Sequence, residues 1–375
     1  MKIKIAIIGS GIGGLTIANL LVKNSDFEII VYEKEKMLSL DEGYGIQLST
    51  NSTSILNKIG FSSIDNNYIF NPSKLNFYSN NNKICDLDLD RFNSDSVKYT
   101  TLQRSTLIEF LKDKLFTNNF RFGKEVRKVS KIKDKLLINF SDNTNDLVDF
   151  IIVSDGVFSN TKSIIENKII KPRYNGSVAI RTIIELSEEF NYETKNISLI
   201  MLPNAHVVIY PINKKNDFNL VCIVREKLSY NYDINSIIKK KILSKNKNLE
   251  NLFKGDLNLW PVYVSRKPIK SIYDNIFYIG DAFYTFVPAL AQGASQSIEA
   301  AYELFNLLCE NKKNIQNIYL KKRLKKTKQI NKRSKFNYFG FHISNPLLES
   351  IRNFFLKRLV KNKNFIQSYL GRIYK

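Results

Sequence analysis

The sequence predicts an α/β chain in which a mostly parallel sheet is interleaved with a mostly antiparallel one and followed by a helical C-terminus. Three observations predict it. Short apolar runs at Ile3–Ile8, Phe150–Val153 and Ile276–Ile279 lead into Gly9, Asp155-Gly156 and Gly280-Asp281, as buried parallel strands do when they deliver loops to one sheet edge. Between the second and third, residues 175–264 hold strand-like runs at Val178–Ile184, Ile197–Met201, Val207–Tyr210 and Leu220–Val224, with one inserted helix near Ile234–Leu243. Beyond Asn311, residues Ile351, Phe354, Phe355, Leu359, Ile366, Leu370 and Ile373 recur near helical spacing.

Taken in order, Ile3–Ile8 is followed by the glycine turn Gly9-Ser10-Gly11-Ile12-Gly13-Gly14, a helix to about Lys23, and a second strand at Glu28–Tyr32 that ends on Glu33. This is a strand–helix–strand unit of Rossmann type. Gly9 permits the tight turn, Gly11 lets backbone approach a pyrophosphate, and Gly14 permits close helix–strand packing. The amides of Ile12 and Gly13 open the helix, whose N-terminus favours an anion. Glu33 stands where a carboxylate accepts hydrogen bonds from a ribose diol. Gly43–Leu48 leads into a helix near Ser52–Ile59, stopped by Gly60, and 69–99 reads as antiparallel strands and turns. Arg104 opens a helix through Leu115, and Val126–Asp149 reads as hairpin strands with Asp142-Asn143 as the turn. Asp155-Gly156 and Gly280-Asp281 place carboxylates at strand ends, and Gln292, Gly293 and Ala294 open a helix that runs to about Leu308. Taken singly, either aspartate reads as a helix cap or turn residue; together they read as one dinucleotide site.

Composition bounds the function. The 375 residues suffice for a substantial core, and the apolar and charged fractions, 43% and 25%, are those of an ordinary globular protein. Cys85, Cys222 and Cys309 form no CxxC pair, which argues against a disulfide framework, a zinc site or a dithiol couple and for a reducing, cytoplasmic setting. Two histidines, His206 and His342, make a histidine-rich metal centre an unpromising reading. Lys2 and Lys4 before an apolar stretch imitate a signal peptide, but the glycines inside it have fingerprint spacing. No apolar run reaches membrane-spanning length. The net charge of +22 is concentrated: residues 311–375 carry 18 Lys/Arg against Glu349 alone, or +17, leaving +5 for the rest. No nucleic-acid module accompanies it. A solvated basic face and peripheral contact with an anionic membrane both remain open.

The ordered set Gly9–Gly14, Glu33, Gly43–Leu48, Arg104, Asp155-Gly156, Gly280-Asp281 and Pro288–Ala294 resembles the single-component FAD-dependent aromatic-ring monooxygenases of the para-hydroxybenzoate-hydroxylase-like superfamily. Pro288-Ala289-Leu290-Ala291-Gln292-Gly293-Ala294, leading to Ile298-Glu299, most resembles the salicylate and 3-hydroxybenzoate hydroxylase branch. The resemblance implies non-covalent FAD, NADH or NADPH as co-substrate and O2, with a flavin hydroperoxide passing one oxygen to a small phenolic or heteroaromatic acid. It implies Arg104 as a flavin contact, Asp281 near the ribityl hydroxyls, and the amides of Gln292, Gly293 and Ala294 near the flavin ring. It also implies His206 and Tyr210 against the substrate phenol, His206 as base, a role that suits an imidazole titrating near neutrality. By strand alternation the two face one side.

There are departures. Tyr284 stands where many relatives have histidine, Lys162 where they often have arginine, and Glu299-Ala300 where they have an acidic pair. These leave the cofactor reading intact and the substrate open. The resulting organisation is 1–68, 100–172 and 270–310 for FAD, 69–99 and 173–269 for substrate, and 311–375 as a basic helical segment, in a monomer or homodimer. The alternatives are a membrane-associated hydroxylase or epoxidase of a lipophilic quinone-precursor-like or isoprenoid substrate, and a flavin-binding protein without turnover.

Overall fold

The computed structural model describes residues 2–38, 40, 44–185, 192–310 and 314–374. Gly43, one end of a motif quoted above, lies outside them.

At the centre is a five-stranded parallel sheet in the order Ile276–Tyr278, Phe150–Val153, Ile3–Ile8, Phe27–Tyr32, Phe120–Arg121. Its strands are β-branched because both faces are covered. Ile7 sits between Ile152 and Val31 in register. Ile5 and Ile7 point to one side, where the helices α1 (Ile12–Leu21), α2 (Thr50–Asn57) and α3 (Arg104–Asp113) contribute Leu15, Ile17, Leu56 and Leu107. Ala6 and Ile8 point to the other, packing with Leu136, Ile138 and Val148 of a small antiparallel sheet. Each such aliphatic side chain removed from water contributes about 1.5–3 kcal/mol.

That small sheet has three strands, Val126–Ile132, Lys135–Phe140 and Asn145–Val148, where the sequence suggests a hairpin with a single marked turn. Asn143 makes the expected turn at φ 66°, but Lys133, at φ 53°, makes another. Lysine carries no turn preference, so the second turn had no local signature.

Helix α4 (Asn160–Ile165) follows the Asp155-Gly156 loop. A seven-stranded sheet then takes over: Asn258–Val264, Arg173–Glu185, Asp217–Arg225, Ala205–Pro211, Ile197–Leu202, Lys74–Ser79 and Asn82–Asp88, antiparallel except where Ile197–Leu202 runs beside Lys74–Ser79. One face is covered by α5 (Ile234–Ile238), its continuation with i→i+5 bonding over Lys239–Leu243, and the turns that follow. The other face, carrying Phe77, Met201 and Tyr210, meets Leu290 and the C-terminal helices.

After the last parallel strand come α6 (Gly280–Phe283), α7 (Gly293–Cys309), the long α8 (Ile315–Phe341) and α9 (Pro346–Leu359). The apolar periodicity of this region divides. Ile366, Leu370 and Ile373 are buried in the core, whereas Ile351, Phe354 and Phe355 on α9 face solvent. Among the described residues, no helix is long and apolar enough to cross a membrane.

Candidate functional site: a dinucleotide cradle at the strand ends

The loops singled out in the sequence meet at the C-terminal edge of the parallel sheet, where α/β proteins bind ligands. Gly9 has φ 100°, and a side chain there would collide with the backbone of Asp155 at 2.8 Å. Gly14 packs α1 against the turn so closely that a Cβ would stand 2.1 Å from the Gly9 carbonyl oxygen. Ser154 bridges the two motifs, its hydroxyl donating to the carbonyls of Ile8 and Gly9, each at 2.9 Å. α1 begins at Ile12 with Gly11 as its cap; no side chain caps it and no acid sits in its first turn. Its first amides therefore remain for an anion.

Glu33 reaches this cradle. One carboxylate oxygen accepts from the Ser10 amide at 2.9 Å and the Ser10 hydroxyl at 2.6 Å; the other accepts from the Glu35 amide at 3.1 Å. The acid is thus held beside the glycine turn by donors that fix its position. Arg104 opens α3, with its amide bound to the Tyr44 carbonyl at 2.9 Å.

Asp155 and Asp281 share a cation. The ammonium of buried Lys162 donates to the Ala282 carbonyl at 2.7 Å and exerts its charge on both carboxylates. Burial pushes the Asp155 carboxyl up, opposed by hydrogen bonds from Ser159 and Thr161 and by Lys162. Burial likewise pushes Asp281 up to about 6, with Lys162 opposing. Burial lowers Lys162, against the pull of the two acids. Among the described residues Oδ1 of Asp155 is buried without a hydrogen-bond donor. Such an orphan acceptor costs about 1–3 kcal/mol unless something donates to it, so it marks a place for a ligand or its water. Lys162 was noted in the sequence only as a departure; its place between two distant acids has no local signature.

α7 closes the site. Ser297 of this helix would meet a side chain at Gly280 at 2.8 Å and one at Gly13 at 3.5 Å, which ties α7 to both glycine turns. Gln292 spends its side chain internally, donating to Ser49 Oγ at 3.0 Å and accepting from Gln296 at 3.2 Å. No side chain caps α7 and no acid lies in its first turn, leaving the amides of Gly293 and Ala294 for a ligand carbonyl. The donorless Oδ1 of Asp155, the close-packed glycine turn and two uncapped helix starts together fit a dinucleotide flavin. A hollow of about 500 Å³, lined by Lys2, Ile3, Asn24, Phe27 and Leu308, sits at the opposite edge, where the parallel strands begin.

His206 and Tyr210 lie on one face of Ala205–Pro211, both buried, but four residues of extended chain separate them by about 13 Å. Tyr210 joins a polar group where the large sheet meets the strand Gly45–Leu48. Its hydroxyl faces Gln47 and Asn219, with the Arg181 charge nearby, and burial raises it well above the usual phenol range. Tyr99 donates to Gln47 at 2.8 Å, and Asn219 accepts from the Gly45 amide at 2.7 Å. Arg181 lies 6.0 Å from the Tyr44 ring centre, which stands edge-on to Trp260. His206 instead places Nδ1 2.7 Å from Nε2 of His342, the residue that caps α8. Burial pushes His206 down to about 3, so the two neutral rings share one N–H between them. Sequence reasoning missed this partner, and nothing local links a strand residue to the end of a distant helix.

These features define a class: a Rossmann-type dinucleotide cradle joined to a large antiparallel sheet and closed by C-terminal helices. A family model for an NAD(P)-binding Rossmann-like domain matches residues 7–41. The chain is 22% identical over 382 residues to 3-amino-4-hydroxybenzoate 2-monooxygenase PtnB3 of Streptomyces platensis, covering 93% of this chain and 91% of that one. It is 24% identical over 339 residues to 6-hydroxynicotinate 3-monooxygenase of Pseudomonas fluorescens, covering 82% and 83%. Its fold matches that of Klebsiella pneumoniae HpxO complexed with FAD and uric acid, with TM-score 0.87 and 17% identity over 99% of this chain and 96% of that one. The resemblance to aromatic-ring monooxygenases thus extends along nearly the whole chain.

Proposed function

We propose that this chain is an FAD-dependent, NAD(P)H-consuming monooxygenase that hydroxylates a small aromatic acid, phenolic or heteroaromatic. The observation that carries the reading is the meeting of the Gly9–Gly14 turn, Glu33, the Asp155–Lys162–Asp281 group and the α7 start at one sheet edge, in a chain similar throughout to such enzymes. The flavin, when bound, supplies the oxygen chemistry; the protein supplies binding, orientation and exclusion of water. The α1 amides hold the pyrophosphate, Glu33 the adenosine ribose, Asp281 the ribityl hydroxyls, and the Gly293 and Ala294 amides the ring. In this proposal 1–68, 100–172 and 270–310 hold the cofactor, 69–99 and 173–269 face the substrate, and 311–375 closes the structure.

On the substrate side, Arg181 pairs with the carboxylate, and Tyr210, supported by Gln47, Tyr99 and Asn219, meets the ring hydroxyl. Tyr210→Phe is expected to lower kcat/KM at least tenfold, on the order of one lost hydrogen bond to a charged oxygen, while FAD content is unchanged. Equal kcat/KM would remove Tyr210 from the substrate. His206 as base makes a different expectation from His206 as a packed partner of His342. In the first case His206→Ala changes the pH profile of turnover; in the second it lowers stability and leaves that profile alone. The position of its ring favours the second.

The test of the reaction class is a screen of aromatic acids and pyridines with the purified yellow protein, scored by NAD(P)H consumption and oxygen uptake. Uptake that rises with one of them and yields a hydroxylated product supports the reading. Flavin that stays oxidised with NAD(P)H and every compound would instead favour a flavin-binding protein without turnover.

A further inference from the structure

We infer that α9, with the end of α8, is a docking surface for an anionic lipid bilayer. Leu347, Leu348, Ile351, Phe354 and Phe355 fall within one 120° sector of α9, at about 100° per residue, and all are 44–70% exposed. None of the residues of α9 is buried, and the helix packs on the core through Leu356 on its other side, so among the described residues this apolar face has no buried contact. Arg352 ties α9 to the end of α8 through the Gly340 carbonyl at 3.2 Å, where Phe336 and Phe339 are also exposed, at 64% and 58%. Exposed lysines and arginine border this apolar face: Lys332 and Lys335 on α8, Lys357 and Arg358 at the end of α9, and Lys361 beyond it.

Charge selects the occupant. Glu349, the sole acid of residues 311–375, is engaged by Arg352 at 3.6 Å and by Ser79, so no free acid of this segment offsets the lysines and arginine that border the apolar face. A second copy would bring two such surfaces together. An anionic bilayer offers the opposite charge and an apolar layer for the phenylalanines, the pairing that interfacial amphipathic helices use. The helix lies on the membrane and does not cross it, consistent with its 14 residues. This inference is independent of the substrate.

The experiment sediments the full-length, FAD-loaded protein with vesicles of phosphatidylcholine alone or with added phosphatidylglycerol. Binding is expected only to the anionic vesicles, and it should weaken as salt shortens the Debye length. Ile351→Ser with Phe355→Ser should abolish it. Lys357→Gln and Lys361→Gln should each weaken it about fivefold. The matched pair Lys128→Gln and Lys131→Gln, exposed on Val126–Ile132, should leave it unchanged. All these residues are on the surface, so flavin content and circular dichroism should match the parent. The inference is overturned if the parent stays in the supernatant, if it binds neutral vesicles equally, or if the matched pair weakens binding as much. It is also overturned if light scattering shows a dimer that Ile351→Ser with Phe355→Ser dissociates.

Discussion

Asp281→Ala is expected to yield a folded protein that has lost its flavin. The carboxylate stands at the C-terminal edge of the central sheet, held by the Ile276–Tyr278 strand and the start of α6, with Lys162 as the charge that faces it. Two hydroxyl donors on one carboxylate amount to about 1.5–3 kcal/mol each, so FAD affinity should fall at least a hundredfold. Full flavin absorbance after gel filtration would remove Asp281 from the site. The acid also gives the prediction a pH signature. Burial raises Asp281 from 3.8 to about 6, so the folded protein binds the proton more tightly than the unfolded chain does. The favourable protonated form is fully present below pH 4, and its advantage is lost as pH rises through about 6, roughly 2–3 kcal/mol in all. The apoprotein should therefore lose stability relative to Asp281→Asn between pH 4 and pH 6. FAD affinity should move the opposite way, because ligand hydroxyls donate to the ionised carboxylate. At pH 8, Asp281→Asn should be more stable without flavin yet bind flavin more weakly, the opposition expected where a residue serves binding at a cost in stability. A variant that weakens both together would mark Asp281 as structural.

Arg323→Met should produce the largest loss of stability among single substitutions outside the cradle. The guanidinium is 2% exposed within the protein and meets Glu299 at 3.2 Å, Glu303 at 3.3 Å and Gln296 at 2.8 Å. Glu299 also accepts from Asn51 at 2.7 Å and pairs with Lys326 at 3.2 Å. Methionine leaves the buried Glu299 and the half-buried Glu303 with Lys326 as the remaining cation, a loss of about 3–5 kcal/mol. Adding Glu303→Gln should restore part of it, because one of the stranded charges is then gone. The same network holds Gln296, and through it Gln292 and Ser49, so flavin affinity should also fall modestly. Denaturant midpoints for the single and double variants check the first part. A midpoint for Arg323→Met equal to the parent would contradict it.

What the sequence made legible follows how local each signal is. The Ile3–Glu33 unit was readable because glycine spacing and β-branched runs are read within thirty residues. α3 and α7 were readable from a starting residue and an apolar stripe. The strand beginning at Lys135 was hidden behind a turn at Lys133, a residue type with no turn preference. Asp155 and Asp281 could be suspected singly, but the cation between them lies on α4 and only tertiary packing brings it there. The His206–His342 contact joins a strand to a helix end far along the chain, and it changes what His206 does. Helical periodicity announced apolar faces in the C-terminal segment. It could not tell that Ile366, Leu370 and Ile373 enter the core while Ile351, Phe354 and Phe355 meet water, because both arrangements have the same spacing.

The central claim is that the converged strand-end loops hold a flavin whose oxygen chemistry is directed at an aromatic ring. The most direct measurement supplies isotopically heavy O2 to the FAD-loaded protein with NAD(P)H and the aromatic acid that most stimulates oxygen uptake, and reads the product by mass spectrometry. One heavy oxygen atom in the ring for each nicotinamide oxidised is the predicted result. Unlabelled aromatic compound, with all the oxygen recovered as hydrogen peroxide, would contradict it.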